Sequence, residues 1–135
     1  MPRCAPLAAP LWLAAAIALA LPVSAAHAQV QRQFPNNALR GDAQFGLPPE
    51  LLLNGQPARL APGARVHGLD NMLVLSGGLT GVRGTVNYTI DTLGQLHEVW
   101  LLRAEEAARQ PWPKTPQEAA AWSFDFGSQT WSKPQ

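Results

Sequence analysis

Two histidines stand beyond the first 28 residues, His67 and His97, each a few residues from a carboxylate, Asp70 and Glu98 respectively. Neutral imidazole is a common ligand of zinc and copper, so both are candidates for a metal site. Their spacing builds none. There is no HxH, HxxxH or HExxH pattern, and neighbours on a strand, such as His97 and Glu98, point to opposite faces. His67 and His97 are therefore weak metal candidates, two unrelated polar positions being the plainer reading, and no cofactor is expected. Hydrolysis by paired carboxylates needs two acids facing each other across a cleft. The nine acidic residues fall mostly at turns and in the C-terminal part, as solubilising charge does. Ser76 precedes Gly77-Gly78 without the GxSxG elbow, and no lysine follows the glycines to make a phosphate loop. A small hydrolase or metal-binding protein built on His67 and His97 is thus a minor alternative.

Aromatic side chains offer a second chemistry. Four tryptophans follow residue 28, namely Trp100, Trp112, Trp122 and Trp131. An exposed indole pairs its flat apolar face with the C–H groups of a sugar ring. Trp112 or Trp131 beside a shallow groove would make a glycan-binding module. The packing alternative places Trp100 in a core, lets Trp122 pin a helix and sets Trp112 in a proline-flanked turn over a sheet edge. Phe34, in a polar stretch, is a candidate for docking. These residues are the binding expectations; no catalytic residue is expected.

What precedes them reads as a leader. Arg3 is followed by an apolar run from Leu11 to Val23, then by Ser24-Ala25-Ala26-His27-Ala28. Small side chains at Ala26 and Ala28 fit a signal peptidase, with cleavage between Ala28 and Gln29. The run is broken by Pro22 and falls short of the roughly 20 apolar residues of a membrane span. A short Ala-rich leader of this kind implies a periplasmic protein that does not span the membrane after cleavage. Beyond residue 28 there are nine basic and nine acidic side chains and no cysteine. That balance argues against nucleic-acid binding, and the absence of thiols excludes disulfides and cysteine chemistry in that part.

The elements that must position these residues are short strands. Residues 29–37 read as a flexible arm, 38–103 as a small β domain, and 104–135 as a helical and aromatic tail. Glu50–Leu53 and Gln56–Leu60 flank Asn54-Gly55, a type I′ hairpin signal. Pro57 has no N–H, which suits an edge. Ala61-Pro62-Gly63-Ala64 reads as a turn, and Arg65–His67 with Met72–Leu75 as a second hairpin. Thr85–Asp91 alternates, with Val86, Tyr88 and Ile90 on one face. In Leu96–Leu102, strict alternation groups Val99 and Leu101 with His97, and Leu96, Trp100 and Leu102 with Glu98. Ala104–Gln110 has helix formers, stopped by Pro111-Trp112-Pro113. Thr115-Pro116-Gln117-Glu118 is a helix start with threonine as N-cap. The fold expected is mainly β: a small bent sheet or partly open β-barrel of SH3/OB-like size, with one or two short helices near the C-terminal end. Arg40, Arg59, Arg65 and Arg83 are expected as dispersed surface charge.

The segments PPELLLNGQPARLAPGARVHGLDNMLVLSG, VNYTID and GQLHEVWLLRAEEA, within Pro48–Glu106, are similar to small exported proteins of β-proteobacteria, a periplasmic family with no assigned activity. The resemblance implies an exported small domain and carries no site residues. Taken together, the expectation is a non-enzymatic binding or accessory module for another envelope protein. Its contacts would lie on the arm, the edge near Pro57 or the aromatic tail, and a cell-wall glycan is the alternative partner.

Overall fold

The computed structural model describes residue 2 and residues 30–135. Apart from residue 2, the leader lies outside the described residues, as does its cleavage site at Ala28 and Gln29. The chain divides into two units, residues 1–30 and 31–135, and the second holds the barrel.

Eight strands and two helices follow one another in that unit: β1 (Leu39–Phe45), β2 (Glu50–Leu53), β3 (Gln56–His67), β4 (Leu73–Val74), β5 (Arg83–Ile90), β6 (Leu96–Leu101), α1 (Ala104–Ala107), α2 (Pro116–Ala121), β7 (Ser123–Asp125) and β8 (Thr130–Ser132). β1, β2, β3, β6 and β5 pair in that order, and β5 pairs back onto β1, so five strands close a barrel. β4 adds to the outside of β3, and β7 pairs with β8 in a separate hairpin. The expected small β-barrel with short helices near the C terminus is present, and its ring is closed. Among the described residues no helix is long and apolar enough to cross a membrane.

Local chemistry explains the turns. Asn54 and Gly55 adopt φ of 54° and 77° and join β2 to β3, as a type I′ turn requires. The β3–β4 hairpin closes where Gly68 N–H donates to Met72 O at 2.8 Å. Ala61–Ala64 does not reverse the chain as a turn would. It lies inside β3, between the pairs Leu60↔Leu96 and Arg65↔Glu98, as a bulge with Gly63 at φ 76°. A bulge adds residues to one strand only and increases its bend, which closing so small a barrel demands.

A second bulge lies at His97, where β6 pairs Leu96 with Ile90 and Glu98 with Thr89. The extra residue breaks the period of two. Leu96, Val99 and Leu101 thus all pack in or against the barrel core, while Trp100 faces out. The grouping of Leu96 with Trp100 expected from alternation is corrected by this one inserted residue.

Two cores result. The barrel interior holds Leu39, Phe45, Leu51, Leu60, Val66, Val86, Tyr88, Leu96 and Val99, among others. The second core lies against the outer side of the barrel and holds Phe34, Ala38, Trp100, Trp112 and Trp131, with Leu102, Trp122 and Phe124 at its margin. β6 serves both, which is why it is apolar on two faces.

Candidate functional site

The outer face of the barrel carries a row of side chains set by strand register: Arg40 opposite Asn87, Asn87 opposite Trp100, and Trp100 opposite His67. All four lie on the side covered by the second core. Arg40 is buried, not dispersed surface charge. Its Nε donates to Asn87 Oδ1 at 3.1 Å, its Nη atoms donate to the carbonyls of Glu106, Ala107 and Arg109, and its guanidinium lies 4.6 Å from the Trp112 ring. Those carbonyls belong to the end of α1 and the residues after it, where intrahelical donors run out. Burial lowers the Arg40 pKa to about 10, against the opposing pull of Glu106.

A buried carboxylate stands beside this row. Glu106, 2% exposed, accepts from Arg32 Nε at 2.8 Å and also from Arg32 Nη2, while Arg103 N–H donates at 2.9 Å. Arg32 further donates to Gly68 O and Leu101 O at 2.9 and 2.6 Å. Burial pushes the Glu106 pKa up, but the hydrogen bonds from Arg32 and Arg103 outweigh it and hold the group at about 2. The arrangement is a clasp: every partner is internal, and none is left to meet a substrate.

The N-terminal stretch is accordingly not a free arm from Arg32 onward. Phe34 is 1% exposed, packs edge-on against Trp100 and Trp112, and its N–H donates to the Gln129 side chain at 2.8 Å. As a docking residue for a partner, Phe34 is corrected: it docks within its own chain, where its ring fills a gap between the indoles of Trp100 and Trp112. Trp112 and Trp131, each 5% exposed, are corrected likewise. Trp112 Nε1 donates to Ala38 O at 2.9 Å, and Trp131 packs against Trp112 and Phe124. Neither presents a free face to a sugar.

The histidines do not come together. His67 stacks on Trp100 with ring centroids 5.5 Å apart, and its Nε2 lies 3.3 Å from Glu98 Oε1. His97 is exposed on its bulge. The acid beside His67 is thus Glu98 from the neighbouring strand, not Asp70, whose Oδ1 accepts from Met72 N–H. Among the described residues no three His, Cys, Asp or Glu side chains gather at one point.

The concave features lie elsewhere. A groove of about 690 Å³ runs across β1, β2 and β3, lined by Phe45, Leu47, Leu51, Leu52, Pro57 and Ala58 and flanked by Glu50 and Arg59. Register explains the lining: Phe45, Leu51 and Ala58 form one cross-strand row, and Gln44, Leu52 and Pro57 the next. Leu47 and Leu52 are 76% and 39% exposed. β3 pairs with β2 over Gln56–Arg59, but its pairing with β6 begins only at Leu60. Pro57, expected near an edge, falls in the stretch paired on one side only. A second cleft of about 520 Å³ is lined by Pro35, Asn36, Ala119, Trp122, Phe124, Phe126 and Trp131. Neither histidine lines either cleft.

Sequence reasoning missed Leu47 and Leu52. The signal was present: in a run of three leucines on a strand, the middle one must face away from the core that takes the other two. It also passed over Trp122 and Phe126 in favour of Trp112 and Trp131, since spacing does not tell which of several aromatics a tail will bury. Comparisons with protein-family models, curated proteins and solved structures find no match to this chain.

Proposed function

We propose that the protein is an exported, periplasmic, non-enzymatic binding module that receives an extended segment of another envelope protein in the β1–β2–β3 groove. The observation that carries this reading is the coincidence of the groove with the one-sided stretch of β3. Apolar walls from Leu47, Leu52 and Pro57 lie beside a strand segment, Gln56–Arg59, that pairs only with β2. An extended peptide uses both features, main-chain hydrogen bonds along the free side and pockets for alternate side chains. In OB-type barrels the same region, the face of the second and third strands and the loop before them, carries ligands; that analogy is of architecture alone. Export rests on the leader read from residues 1–28.

Site-specific photocrosslinking in intact cells tests the reading. A crosslinker at position 52 is expected to trap one dominant envelope protein through a single linear segment. One at Leu93, exposed in the β5–β6 loop and outside the groove, is expected to trap none. Leu52→Asp, a change at an already exposed position, should abolish capture from a crosslinker at position 47. Equal trapping from positions 52 and 93, or none from 52, overturns the proposal.

A further inference from the structure

The row of outward side chains on the barrel continues beyond His67, and its last member stands uncovered. Register carries the row past Trp100 and His67 to Leu73, which lies opposite His67 on β4. The second core covers the row as far as Trp100, and His67 stacks on that indole. Leu73 is left 66% exposed, and Leu69, Met72 and Leu75 around it are exposed by 55% to 86%. A single exposed leucine is ordinary on a protein surface, whereas four large apolar side chains gathered on one hairpin form a patch.

The backbone at the same place is open as well. β4 ends its sheet, so among the described residues no strand pairs with its outer side. The hairpin fixes which groups face that side. Gly68 N–H donates to Met72 O at 2.8 Å, which makes Gly68 and Met72 a hydrogen-bonded pair. Such pairs alternate along an antiparallel ladder, so His67 and Leu73 form the next, non-bonded pair. Leu73 N–H and C=O therefore point away from β3, into the open edge. The chain stays extended at Leu75, with φ −69° and ψ 130°. Edge strands are ordinarily blunted by lysine, proline or a covering element. Residues 68–75 contain neither lysine nor proline, and the one charged side chain, Asp70, has its Oδ1 engaged by Met72 N–H.

We infer that β4 pairs antiparallel with β4 of a second copy about a two-fold axis at Leu73, making the protein a homodimer. On that axis, each Leu73 N–H donates to the Leu73 carbonyl of the other copy. The two Leu73 side chains then meet on the outer face, with Leu75 of each copy diagonal to Leu73 of the other. Three features favour a second copy over a different chain. An antiparallel edge is its own complement under a two-fold, the commonest symmetry of soluble oligomers. The four exposed side chains present on the order of 500 Å² per copy, so two copies together bury about the 1,000 Å² that a specific contact needs. A bare peptide at Leu73 would gain two main-chain hydrogen bonds and bring no preformed patch to match. Finally, with the axis at Leu73 the two Asp70 carboxylates sit at opposite ends of the strand pair, so like charges do not meet. None of these residues lines the β1–β2–β3 groove, and the inference does not rest on the partner proposed there.

Sedimentation velocity of the purified protein over a concentration series tests it. A reversible monomer–dimer equilibrium is expected, with Kd on the order of 10 μM for an interface at the small end of the specific range. Leu73→Asp, at an exposed position, should weaken dimerisation at least about tenfold with the circular dichroism spectrum unchanged. Leu52→Asp, in the groove, should leave the dimer as it is. A thiol reads the register. With Cys4→Ser in place, Leu73→Cys supplies the sole cysteine of the chain. Hydrogen-bonded antiparallel partners hold their Cα atoms about 5.5 Å apart, within disulfide reach. Mild oxidation should therefore link the Leu73→Cys chains into dimers, and should link Leu93→Cys chains, altered in the exposed β5–β6 loop, no faster than random collision does. A monomer at about 1 mM overturns the proposal, which is also the result expected if the edge takes a strand of a different protein. So does a dimer that Leu73→Asp leaves intact in a folded protein. A dimer lost with Leu52→Asp alone would place the contact at the groove and overturns it equally.

Discussion

Glu106 shows how much of this fold rests on a single side chain. A carboxylate with 2% of its surface exposed would cost several kcal/mol were it not paired, and Arg32 and Arg103 supply the pairing. Removing one partner of such a pair leaves the other charge buried and uncompensated. Glu106→Gln is therefore expected to destabilise the protein by about 3 kcal/mol, read from urea unfolding curves. A cost below about 1 kcal/mol would mean that Arg32 finds water instead. The same pair makes stability depend on pH. The Glu106 pKa falls from 4.5 unfolded to about 2 folded, so its contribution is fully present above pH 4.5 and is lost as pH drops through about 2. Loss of stability on the order of 3 kcal/mol across that window is expected from this group, and Glu106→Gln should flatten the curve there. An unchanged acid limb in the variant would show that other carboxylates set it.

At the scale of elements, the hairpins and helix starts were legible and the bulges were not. Asn54-Gly55 marks its turn because few other pairs accept positive φ at both positions. Thr115 caps α2 as its spacing to Glu118 foretells, Glu118 N–H donating to Thr115 Oγ1 at 3.2 Å. The bulge at His97 leaves no such mark: one residue inserted into a strand shifts every later side chain to the other face. Nor does the sequence say that Ala61–Ala64 stays within β3, since Pro-Gly serves a bulge as well as a turn. The candidate site suffered most. Burial of Trp112 and Trp131 depends on β7 and β8 folding back over the barrel with Arg32–Ala38, a contact between chain ends that local pattern does not encode. Trp131 is the test of that hairpin. Trp131→Ala is expected to cost about 3–5 kcal/mol in thermal or urea unfolding, as large core truncations do. Leu93→Ala, at an exposed loop position, should stay within about 0.5 kcal/mol. Similar small effects from both would mean that the hairpin does not hold the second core.

For the molecule as a whole, the second core ties the start of the described chain to its end. Arg32 reaches Glu106 across 74 residues, and Phe34 N–H reaches Gln129 across 95. These contacts close long loops, so they bring a large entropic cost and gain from acting together. Residues 31–34 should therefore behave as part of the domain, in contrast to the flexible arm that their polarity suggests. Deleting them removes both Arg32 and Phe34 and is expected to lower stability by about 4 kcal/mol. The decisive quantity is what Glu106→Gln then adds. If the clasp is a single unit, the carboxylate has already lost its buried partner in the shortened chain, and the second change costs far less than in the full one. A coupling on the order of 2 kcal/mol is expected from unfolding curves of the four proteins in the cycle. Strict additivity would mean that Glu106 is held by Arg103 alone, and that the two ends of the chain stabilise the barrel independently.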